Sequence, residues 1–515
     1  MFSRIHSAVC RGVEGIDIYV ETDISRGLPG TSIVGLASTM VMESRERIKS
    51  AIINSDLDYP RGKITVNLTP ASIRKNGSGL DLPIAAGILT SFEYIDPGKI
   101  SEYGIIGELS LEGGVLGIEG VLPMVICMKK SGLKKMIIPA DNVIEASMVS
   151  GIEVFPVRTL IEAVRLINGW GCAENKDLCS EARNMLCKKL EDAACTEGDF
   201  ADIRGQESAK RALSIAVTGR HGLLMIGSPG CGKTMLASRL PSIMPPMTEE
   251  ERIETAMIYS AAGRTNLGGD ISLIRPFRKP HNTIGRAGLV GGGSIPVPGE
   301  ISLAHNGVLF LDEVCEFDRE KIESLRTPME EKKIVHFRKG ESYVFPCNFQ
   351  LIMAANPCPC GFFGDSTRMC RCTEIQLARY RKKLSGPMMD RIDMRIGMER
   401  VEYDQLKSKT GNKTGMSTAD MRAIVEKGRN YARSEERYSC NADMTEKETE
   451  KWCCLGTEEE KFMNEAFNAL KMTPRSYKKT LKVARTIADI AESRYIRTEH
   501  LAEALSYRMI DAVNN

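Results

Sequence analysis

The sequence predicts an α/β protein built around a parallel sheet, with a mixed α and β region before it and a helical region after it. Three observations predict this. The segment Gly227–Thr234 has the pattern G-x-x-x-x-G-K-[ST] and lies between a short apolar run and a helical run. A second apolar run, 308–311, ends in two carboxylates, as buried parallel strands often do at a functional edge. From about residue 400, the apolar residues have the 3.6-residue spacing of helices.

The composition is that of an ordinary globular protein, and 515 residues predict roughly two to four domains. Apolar residues make up 42% and charged residues 26% of the chain, with a net charge of +2, so bulk charge neither favours nor excludes nucleic acid. Residues 1–6 lack the apolar core of a signal peptide, and no apolar run is long enough to span a bilayer. We therefore expect a cytoplasmic protein with no membrane partner.

The first region, 1–170, has alternating and helical apolar patterns in turn. Its predicted strands and helices are 15–23, 32–36, 40–53, 63–68, 82–89, 104–109, 121–130 and 135–139. Residues 171–200 are rich in charge and poor in large apolar side chains, which is typical of a linker. The remaining chain is expected to divide into a core at 201–399 and a helical region at 400–515.

The segment Gly227–Thr234, named here the phosphate loop, predicts a nucleoside triphosphate site. Its glycines allow a tight turn that points backbone N–H groups inward, and the following helix start adds partial positive charge. Lys233 is expected to reach the β- and γ-phosphates, and Thr234 to hold Mg²⁺. The nucleotide-binding residues are thus predicted to be Gly227, Ser228, Pro229, Gly230, Cys231, Gly232, Lys233 and Thr234.

Polar side chains at two later strand ends complete the predicted hydrolytic site. Asp312 is expected to hold Mg²⁺, and Glu313 to polarise the attacking water as general base. Asn356 follows the apolar run 349–355 and is expected to orient that water or contact the γ-phosphate. The alternative for Asn356 is a simple turn residue before Pro357.

A late arginine and a charged hairpin add two further candidates. Arg391 could reach the γ-phosphate of a neighbouring subunit as an arginine finger, or it could be a solvated arginine paired with Asp390 or Asp393. The alternation at 335–345 predicts a hairpin with Arg338 and Lys339 near its tip. These two cations could contact DNA phosphates or could simply be solvated.

Four of the sixteen cysteines are grouped. The pairs Cys358/Cys360 and Cys370/Cys372 each have C-x-C spacing and flank a nine-residue stretch, 361–369. Four thiolates in two tight pairs can close a tetrahedral structural Zn²⁺ site just after Asn356. The alternative is four reduced thiols or a disulfide.

The phosphate loop, Asp312–Glu313, Asn356 and a later arginine together resemble the AAA+ superfamily. Longer motifs resemble the magnesium-chelatase-like AAA+ ATPases of the YifB/ComM family: Pro276–His281, Gly291–Gly293, Pro298–Gly307 and Asn356–Gly361. This resemblance implies a P-loop AAA+ core with a helical lid, ATP and Mg²⁺ as cofactors, and a ring of identical subunits, expected to be a hexamer. It also implies that Arg391 acts in trans and that a lid arginine, Arg475 or alternatively Arg485, contacts the γ-phosphate of its own chain.

The first region resembles the Lon-protease-like domain of ribosomal S5-type fold found in that family, on the motifs Gly35–Leu36, Glu43–Arg47, Asn67–Ala71, Lys75–Pro83 and Gly120–Pro123. Lon-type proteases use a Ser–Lys dyad. Ser78 lies in a loop of the right neighbourhood, but residues 115–119 contain no lysine. We therefore expect no peptidase activity.

The family resemblance implies work on branched or single-stranded DNA, as helicase or branch-migration motor in recombination or natural transformation. One alternative is a chelatase motor subunit that drives metal insertion into a tetrapyrrole. A second is a protein remodeller. DNA-stimulated ATP hydrolysis would discriminate the first reading from the other two.

Overall fold

A computed structural model describes residues 2–36, 38–75, 77, 79–170, 198–264, 274–365, 368–384, 386–400 and 415–508, with single positions at 178, 181, 182 and 184. Most of the predicted linker, 171–200, lies outside the described residues, as does Ser78. Within the described ranges, no helix is both long and apolar enough to cross a membrane.

The N-terminal region, up to residue 170, is a mixed sheet covered by helices. Its strands are β1 (Phe2–Arg11), β2 (Glu14–Ser25), β3 (Gly30–Val34), β4 (Lys63–Thr69), β5 (Tyr103–Ile105), β6 (Glu108–Leu109), β7 (Val115–Leu116), β8 (Lys135–Pro139) and β9 (Glu153–Val157). Its helices are α1 (Thr39–Asn54), α2 (Asp81–Ser91), α3 (Pro97–Ile100), α4 (Val121–Lys130), α5 (Val143–Ala146) and α6 (Leu160–Asn168). The described sheet has the order β3–β4–β2–β1–β5–β8–β9, antiparallel at β4–β2–β1 and parallel elsewhere.

The predicted elements of this region are confirmed, with one difference. Helix α2 is buried along its whole length, as its apolar composition predicts. The strand predicted at 104–109 is divided into β5 and β6, which lie in different sheets. Gly107 separates them with a φ of +154°, and a β-carbon there would lie 3.2 Å from Leu82 and Val115. The chain therefore turns where only glycine fits.

The core region, from residue 200 to residue 400, contains a second sheet with the order β11–β14–β17–β10–β18, parallel throughout. Its strands and those of its hairpins are β10 (Leu223–Gly227), β11 (Phe277–Arg278), β12 (Gly291–Gly292), β13 (Val297–Pro298), β14 (Val308–Leu311), β15 (Lys333–Arg338), β16 (Glu341–Pro346), β17 (Gln350–Ala355) and β18 (Met394–Met398). Its helices are α7 (Glu207–Gly219), α8 (Lys233–Ser238), α9 (Glu249–Ala261), α10 (Arg286–Val290), α11 (Glu300–Leu303), α12 (Arg319–Glu323), α13 (Arg326–Glu331), α14 (Glu374–Arg381) and α15 (Gly386–Met389).

This core sheet has two edges that matter for function. The carboxyl ends of β10, β14 and β17 meet at one edge, named here the carboxyl edge, where the phosphate loop begins. The opposite edge, named the amino edge, is where β10 and β18 start. There Asp393 accepts a 2.8 Å hydrogen bond from the backbone N–H of Gly222. The two edges are about 16 Å apart, because β10 has five residues at about 3.3 Å each.

The C-terminal region is helical, as predicted: α16 (Thr418–Ser434), α17 (Glu446–Trp452), α18 (Thr457–Ala469), α19 (Pro474–Ile490) and α20 (Thr498–Ser506). Helices α16 and α19 pack against α7, and they share an apolar cluster with it that includes Leu213, Val425 and Ile487. At the start of α19, the Lys479 ammonium forms an ion pair with Asp393. The amino-terminal end of α19 is therefore anchored at the amino edge of the core sheet.

The N-terminal region packs directly on the core region. At the start of α4, the backbone N–H of Gly120 donates to the carbonyl of Ser260 on α9 at 3.0 Å. Val13, in the β1–β2 turn, is buried in the same apolar cluster as Tyr343 and Phe345 of the β15–β16 hairpin. The backbone N–H of Arg74 donates to Glu341, which is the first residue of β16 and lies beside the turn of that hairpin, at 3.4 Å. The N-terminal region thus contacts both a core helix and the hairpin.

Candidate functional site

The phosphate loop follows β10 and precedes α8, as the sequence predicts. Gly230 and Gly232 have φ angles of +83° and +94°, which residues with a β-carbon rarely adopt. A β-carbon on Gly227 would lie 2.7 Å from the carbonyl oxygen of Met398. The loop therefore has the tight backbone turn that phosphate binding requires.

Lys233 holds the centre of this loop. Its side chain is 7% exposed, and its ammonium donates to the carbonyls of Gly227 at 2.6 Å and Ser228 at 3.0 Å. The same ammonium donates to Oδ1 of Asn356 at 3.1 Å. Since β10 and β17 are adjacent and parallel, the phosphate loop and the end of β17 meet at the carboxyl edge. The structure thus brings Lys233 and Asn356 together.

Asp312 receives two donors on one carboxylate oxygen. The Thr234 hydroxyl donates to Oδ2 at 2.7 Å, and the Lys279 ammonium lies 2.8 Å from the same oxygen. Burial opposes the ionisation of Asp312, but the hydrogen bonds from Lys279 and Thr234 outweigh it and hold the pKa of Asp312 below its usual value. Asp312 is therefore ionised at neutral pH. A hydroxyl and a carboxylate at this spacing suit Mg²⁺, which prefers oxygen ligands.

Glu313 has an unusual backbone conformation at the end of β14. Its φ and ψ are both 47°, in the left-handed region, and its side chain is exposed. A non-glycine residue in this region costs on the order of 1 kcal/mol or more, and such strain is concentrated at functional sites. The conformation turns the chain sharply after Asp312, so that the exposed Glu313 side chain does not continue the line of β14. Sequence reasoning gave no sign of this strain.

Arg391 lies at the amino edge, just before β18 begins, whereas the phosphate loop of the same chain lies at the carboxyl edge. Its guanidinium is 9% exposed, forms a 2.9 Å ion pair with Glu330 and donates to the Pro387 carbonyl at 2.8 Å. It is paired with neither of the two aspartates, 390 and 393, considered from the sequence. Glu330 therefore fixes the position of Arg391.

Arg475 also pairs with Glu330. The hydrogen bond from Arg475 is the largest cause that holds the pKa of Glu330 below its usual value; burial opposes the shift, and Arg391 adds to it. The structure therefore has Arg475 at the amino edge, where the Lys479–Asp393 pair anchors the start of α19. Its contact with the γ-phosphate of its own chain stays a prediction.

The alternative lid arginine, Arg485, is a structural residue in this fold. It is 2% exposed, and its Nε donates to Asp489 at 2.9 Å. Its remaining donors bond the backbone carbonyls of Ser493 and Arg494. A guanidinium engaged in this way inside the helical region is not available to a nucleotide.

The four grouped cysteines come together. Their Sγ atoms all lie within 4.8 Å of one another, and all four thiols are free. Burial raises the pKa of Cys358 to about 12, whereas backbone N–H groups of Arg371 and Phe362 lower the pKa of Cys360 to about 6. The arrangement is compatible with a metal site of four cysteines.

The predicted hairpin is confirmed as β15 and β16, joined at Lys339 and Gly340. Arg338 and Lys339 are exposed at its tip, and the neighbouring Phe337 is 75% exposed. The glycine-rich segment 286–298 lies beside the hairpin, where His336 Nε2 is 3.4 Å from the carbonyl of Val290. The tip therefore presents two cations and an aromatic ring to solvent.

In the N-terminal region, the described lysine nearest in sequence to Ser78 is Lys75. It is fully buried, and its ammonium donates to the carbonyls of Leu68, at 2.8 Å, and of Pro70. These contacts satisfy a buried charge with backbone acceptors, which is a structural role.

Two residues of the site were missed from the sequence. Lys279 belongs to the motif Pro276–His281, which suggested family membership but gave no sign that a lysine would reach Asp312. Glu330 lies in an ordinary charged run at the end of α13, and only the tertiary structure shows that it holds two arginines.

Models of one protein family match most of the chain. The model described as "Magnesium chelatase, subunit ChlI" matches residues 199–406. "Subunit ChlI of Mg-chelatase" matches 20–142, and "Magnesium chelatase, subunit ChlI C-terminal" matches 415–508. The three models thus cover the AAA+ core and the regions on both sides of it, and all three describe the same magnesium chelatase subunit. This domain combination is typical of nucleotide-hydrolysing proteins.

Similar proteins match over nearly the full length. Competence protein ComM of Haemophilus influenzae is 40% identical over 504 residues, covering 98% of this chain and 97% of the relative. Uncharacterized protein YifB of Escherichia coli is 38% identical over 522 residues, covering 99% and 97%. An archaeal Lon protease of Methanocaldococcus jannaschii is 28% identical over 134 residues, covering 26% of this chain and 20% of the relative. The chain therefore belongs to the magnesium-chelatase-like AAA+ family that includes ComM and YifB.

Proposed function

We propose that this protein is a ring-forming AAA+ ATPase that uses ATP hydrolysis to remodel DNA. The observation that supports this most directly is the separation of its functional groups. The hydrolytic side chains lie at the carboxyl edge of the core sheet, whereas Arg391 and Arg475 lie at the amino edge. A head-to-tail contact between subunits would bring one subunit's amino edge to the next subunit's carboxyl edge, and such contacts form a ring when the rotation between successive subunits closes.

At the carboxyl edge, each side chain has a distinct proposed role. Lys233 would bind the β- and γ-phosphates, and Thr234 and Asp312 would hold Mg²⁺. Mg²⁺ neutralises charge on the phosphates and positions them for displacement. Glu313 would accept a proton from the attacking water, and Asn356 would orient that water. The mutual contacts of Lys233, Asn356, Thr234 and Asp312 support these assignments.

At the amino edge, the two arginines would act on the nucleotide of the neighbouring subunit. Arginine supplied in this way stabilises the charge that develops on the transferred phosphoryl group. Glu330 keeps both guanidinium groups oriented until a phosphate competes for them. We assign Arg391 to this role in trans, and we place Arg475 with it rather than at its own phosphate loop.

The β15–β16 hairpin is the proposed DNA contact. Arg338 and Lys339 can bind phosphates, and the exposed Phe337 ring can stack on a base. A relative that matches this chain over nearly its full length is named a competence protein. We propose the hexameric ring, cytoplasmic location and lack of peptidase activity on the family's general pattern. The proposed domains are 1–170, a linker at 171–200, the core at 201–399 and the helical region at 400–515.

The test is ATP turnover of the full chain with no DNA, with single-stranded DNA and with a four-way junction. We expect DNA to stimulate turnover several-fold at low salt, with a stimulation that falls as salt rises. The double substitution Arg338→Ala/Lys339→Ala should abolish stimulation and leave basal turnover unchanged. Lys333→Ala, which removes a cation from the opposite end of the same hairpin, is the matched control.

Turnover that no DNA stimulates, together with no DNA binding at low salt, would contradict the DNA proposal. The ATPase assignment would survive that result. It would then point to the chelatase motor, since the matching family models are described as magnesium chelatase subunits.

A further inference from the structure

The four cysteines Cys358, Cys360, Cys370 and Cys372 surround one point beside the carboxyl edge. Within this cluster the Cys358–Cys360 separation is 3.3 Å, far longer than a disulfide bond of about 2.05 Å. We infer that these four thiols bind one Zn²⁺ ion, and that the loop closed by this ion holds the phosphate loop in its nucleotide-binding conformation.

The separations fit a single tetrahedral ion. With a Zn–S bond of about 2.3 Å, the sulfur atoms of a tetrahedral site lie about 3.8 Å apart. The Sγ atoms of Cys358 and Cys370 are 3.7 Å apart, and those of Cys360 and Cys370 are 3.6 Å apart. An iron–sulfur cluster spreads its cysteines around several iron and sulfide atoms, so it needs a wider cage. The cage is therefore the size of one ion.

The chemistry of the cage also favours zinc. Four thiolates are soft ligands, and a tetrahedral set of them selects zinc or iron over magnesium or calcium. The backbone N–H of Cys372 points to the Cys370 sulfur at 3.5 Å, and donors of this kind stabilise the negative charge of bound thiolates. Four protein ligands leave no open position, so the ion would be structural.

The loop between the two cysteine pairs contacts the phosphate loop. Asp365 accepts a 2.9 Å hydrogen bond from the hydroxyl of Ser228, the second residue of the phosphate loop. Gly361 has a φ of +84°, and a β-carbon on it would lie 2.6 Å from Cδ of Pro229. The cysteine loop therefore packs on Ser228 and Pro229 so closely that a methyl group cannot be added at residue 361.

The residues just before and just after the cysteine cluster also connect it to the nucleotide site. Asn356, which accepts from Lys233, lies two residues before Cys358. Helix α14 begins two residues after Cys372, and its Tyr380 is buried in the same apolar cluster as Cys315, just past Glu313. Between the end of β17 and the start of α14, the described residues form no helix or strand. A metal ion bound by all four cysteines would hold this segment in one conformation, which the hydrogen bonds of a helix or strand do not do here.

The first test is the metal content of the full chain, purified under reducing conditions without added metal. We expect about one zinc ion per chain in the wild type and in Cys454→Ser, a control that removes an exposed cysteine outside the cluster. Cys360→Ser/Cys370→Ser should retain less than about a tenth of that zinc, because it removes half of the ligands. Wild-type protein with iron in place of zinc, or with neither metal, would overturn the zinc assignment.

The second test separates the coupling from misfolding of the cysteine variant. Gly361→Ala keeps all four thiols, and we expect it to retain zinc but to weaken binding of a non-hydrolysable ATP analogue about tenfold, or about 1.4 kcal/mol. Gly364→Ala is the matched control. It has a similar φ of +77° and thus similar backbone strain, but a β-carbon there meets no atom within 4 Å.

Asp365→Ala removes the hydrogen bond to Ser228 and should behave as Gly361→Ala does. Equal nucleotide affinity in Gly361→Ala and Gly364→Ala, with wild-type affinity in Asp365→Ala, would overturn the coupling. The zinc measurement depends on no part of the proposed function. The affinity measurement depends on ATP binding alone, so its result is independent of DNA remodelling and of ring formation.

Discussion

Removal of the Arg391 guanidinium tests whether each nucleotide site is completed by the neighbouring subunit. Arg391→Ala deletes a 2.9 Å ion pair with Glu330 and a 2.8 Å hydrogen bond to the Pro387 carbonyl. Arg475 remains on Glu330, so the carboxylate keeps a partner and the loss of stability should be about 1–3 kcal/mol. Turnover should fall by about 10³- to 10⁵-fold, the usual contribution of an arginine finger.

The decisive assay mixes two inactive variants and lets subunits exchange. Glu313→Gln subunits keep Arg391 but lack the proposed base, whereas Arg391→Ala subunits keep the base. In an equal mixture, half of the sites contain Glu313, and half of those face a neighbour with Arg391. Turnover should therefore recover to about a quarter of the wild-type value.

Arg326→Ala is the matched control, since Arg326 lies on α13 with Glu330 but pairs at 2.9 Å with a different carboxylate, Glu323 of α12. It should cost at most about 1 kcal/mol of stability and leave turnover unchanged. A mixture with no more turnover than the sum of its two components would refute a role for Arg391 in trans.

Three further outcomes are expected. Glu313→Gln should bind ATP as the wild type does and lose about 10²- to 10⁴-fold in turnover, and near-normal single-turnover rates would remove Glu313 as the base. Arg475→Ala should lower turnover without a shift in melting temperature and should be rescued by mixing with Glu313→Gln; a defect that mixing cannot rescue would indicate a role within its own chain. Burial opposes ionisation of Asp393, but the Lys479 ammonium and then His221 hold its pKa far below its usual value. A depressed pKa stabilises the fold above the unfolded value of about 4 and loses that contribution as pH falls further, so Asp393→Asn should cost about 3–5 kcal/mol at pH 7 and less at pH 3 in urea denaturation. An equal cost at both pH values would contradict this.

The carboxyl edge could be predicted from the sequence because its geometry follows from a parallel sheet. The phosphate loop, Asp312 and Asn356 each follow an apolar run, and parallel strands bring their carboxyl ends together. The cysteine cluster could be predicted for a similar reason, since short spacings force each pair to be close. Local patterns also gave helices α1, α2 and α4 of the N-terminal region and the helical character of the C-terminal region.

The position of Arg475 could not be predicted, because it depends on how the C-terminal helices pack on the core. That packing is fixed by contacts between distant residues, such as the Lys479–Asp393 pair and the apolar cluster around Val425. Neither has a local signal. Lys279 was missed for the same reason, since it reaches Asp312 only because β11 is paired with β14.

The contact between the N-terminal region and the core has a practical consequence. Each region buries a side chain in an apolar cluster of the other. Val13 of the N-terminal region is buried with Phe345 of the hairpin, and Ala256 of the core helix α9 is buried with Val121 of α4. A chain cut at the linker would expose apolar surface on both pieces, directly beneath the hairpin. The shortened ATPase would therefore tend to aggregate and to lose support for its hairpin. A loss of activity in such a truncated protein would then result from misfolding of the core and would not show that the N-terminal region has a separate function.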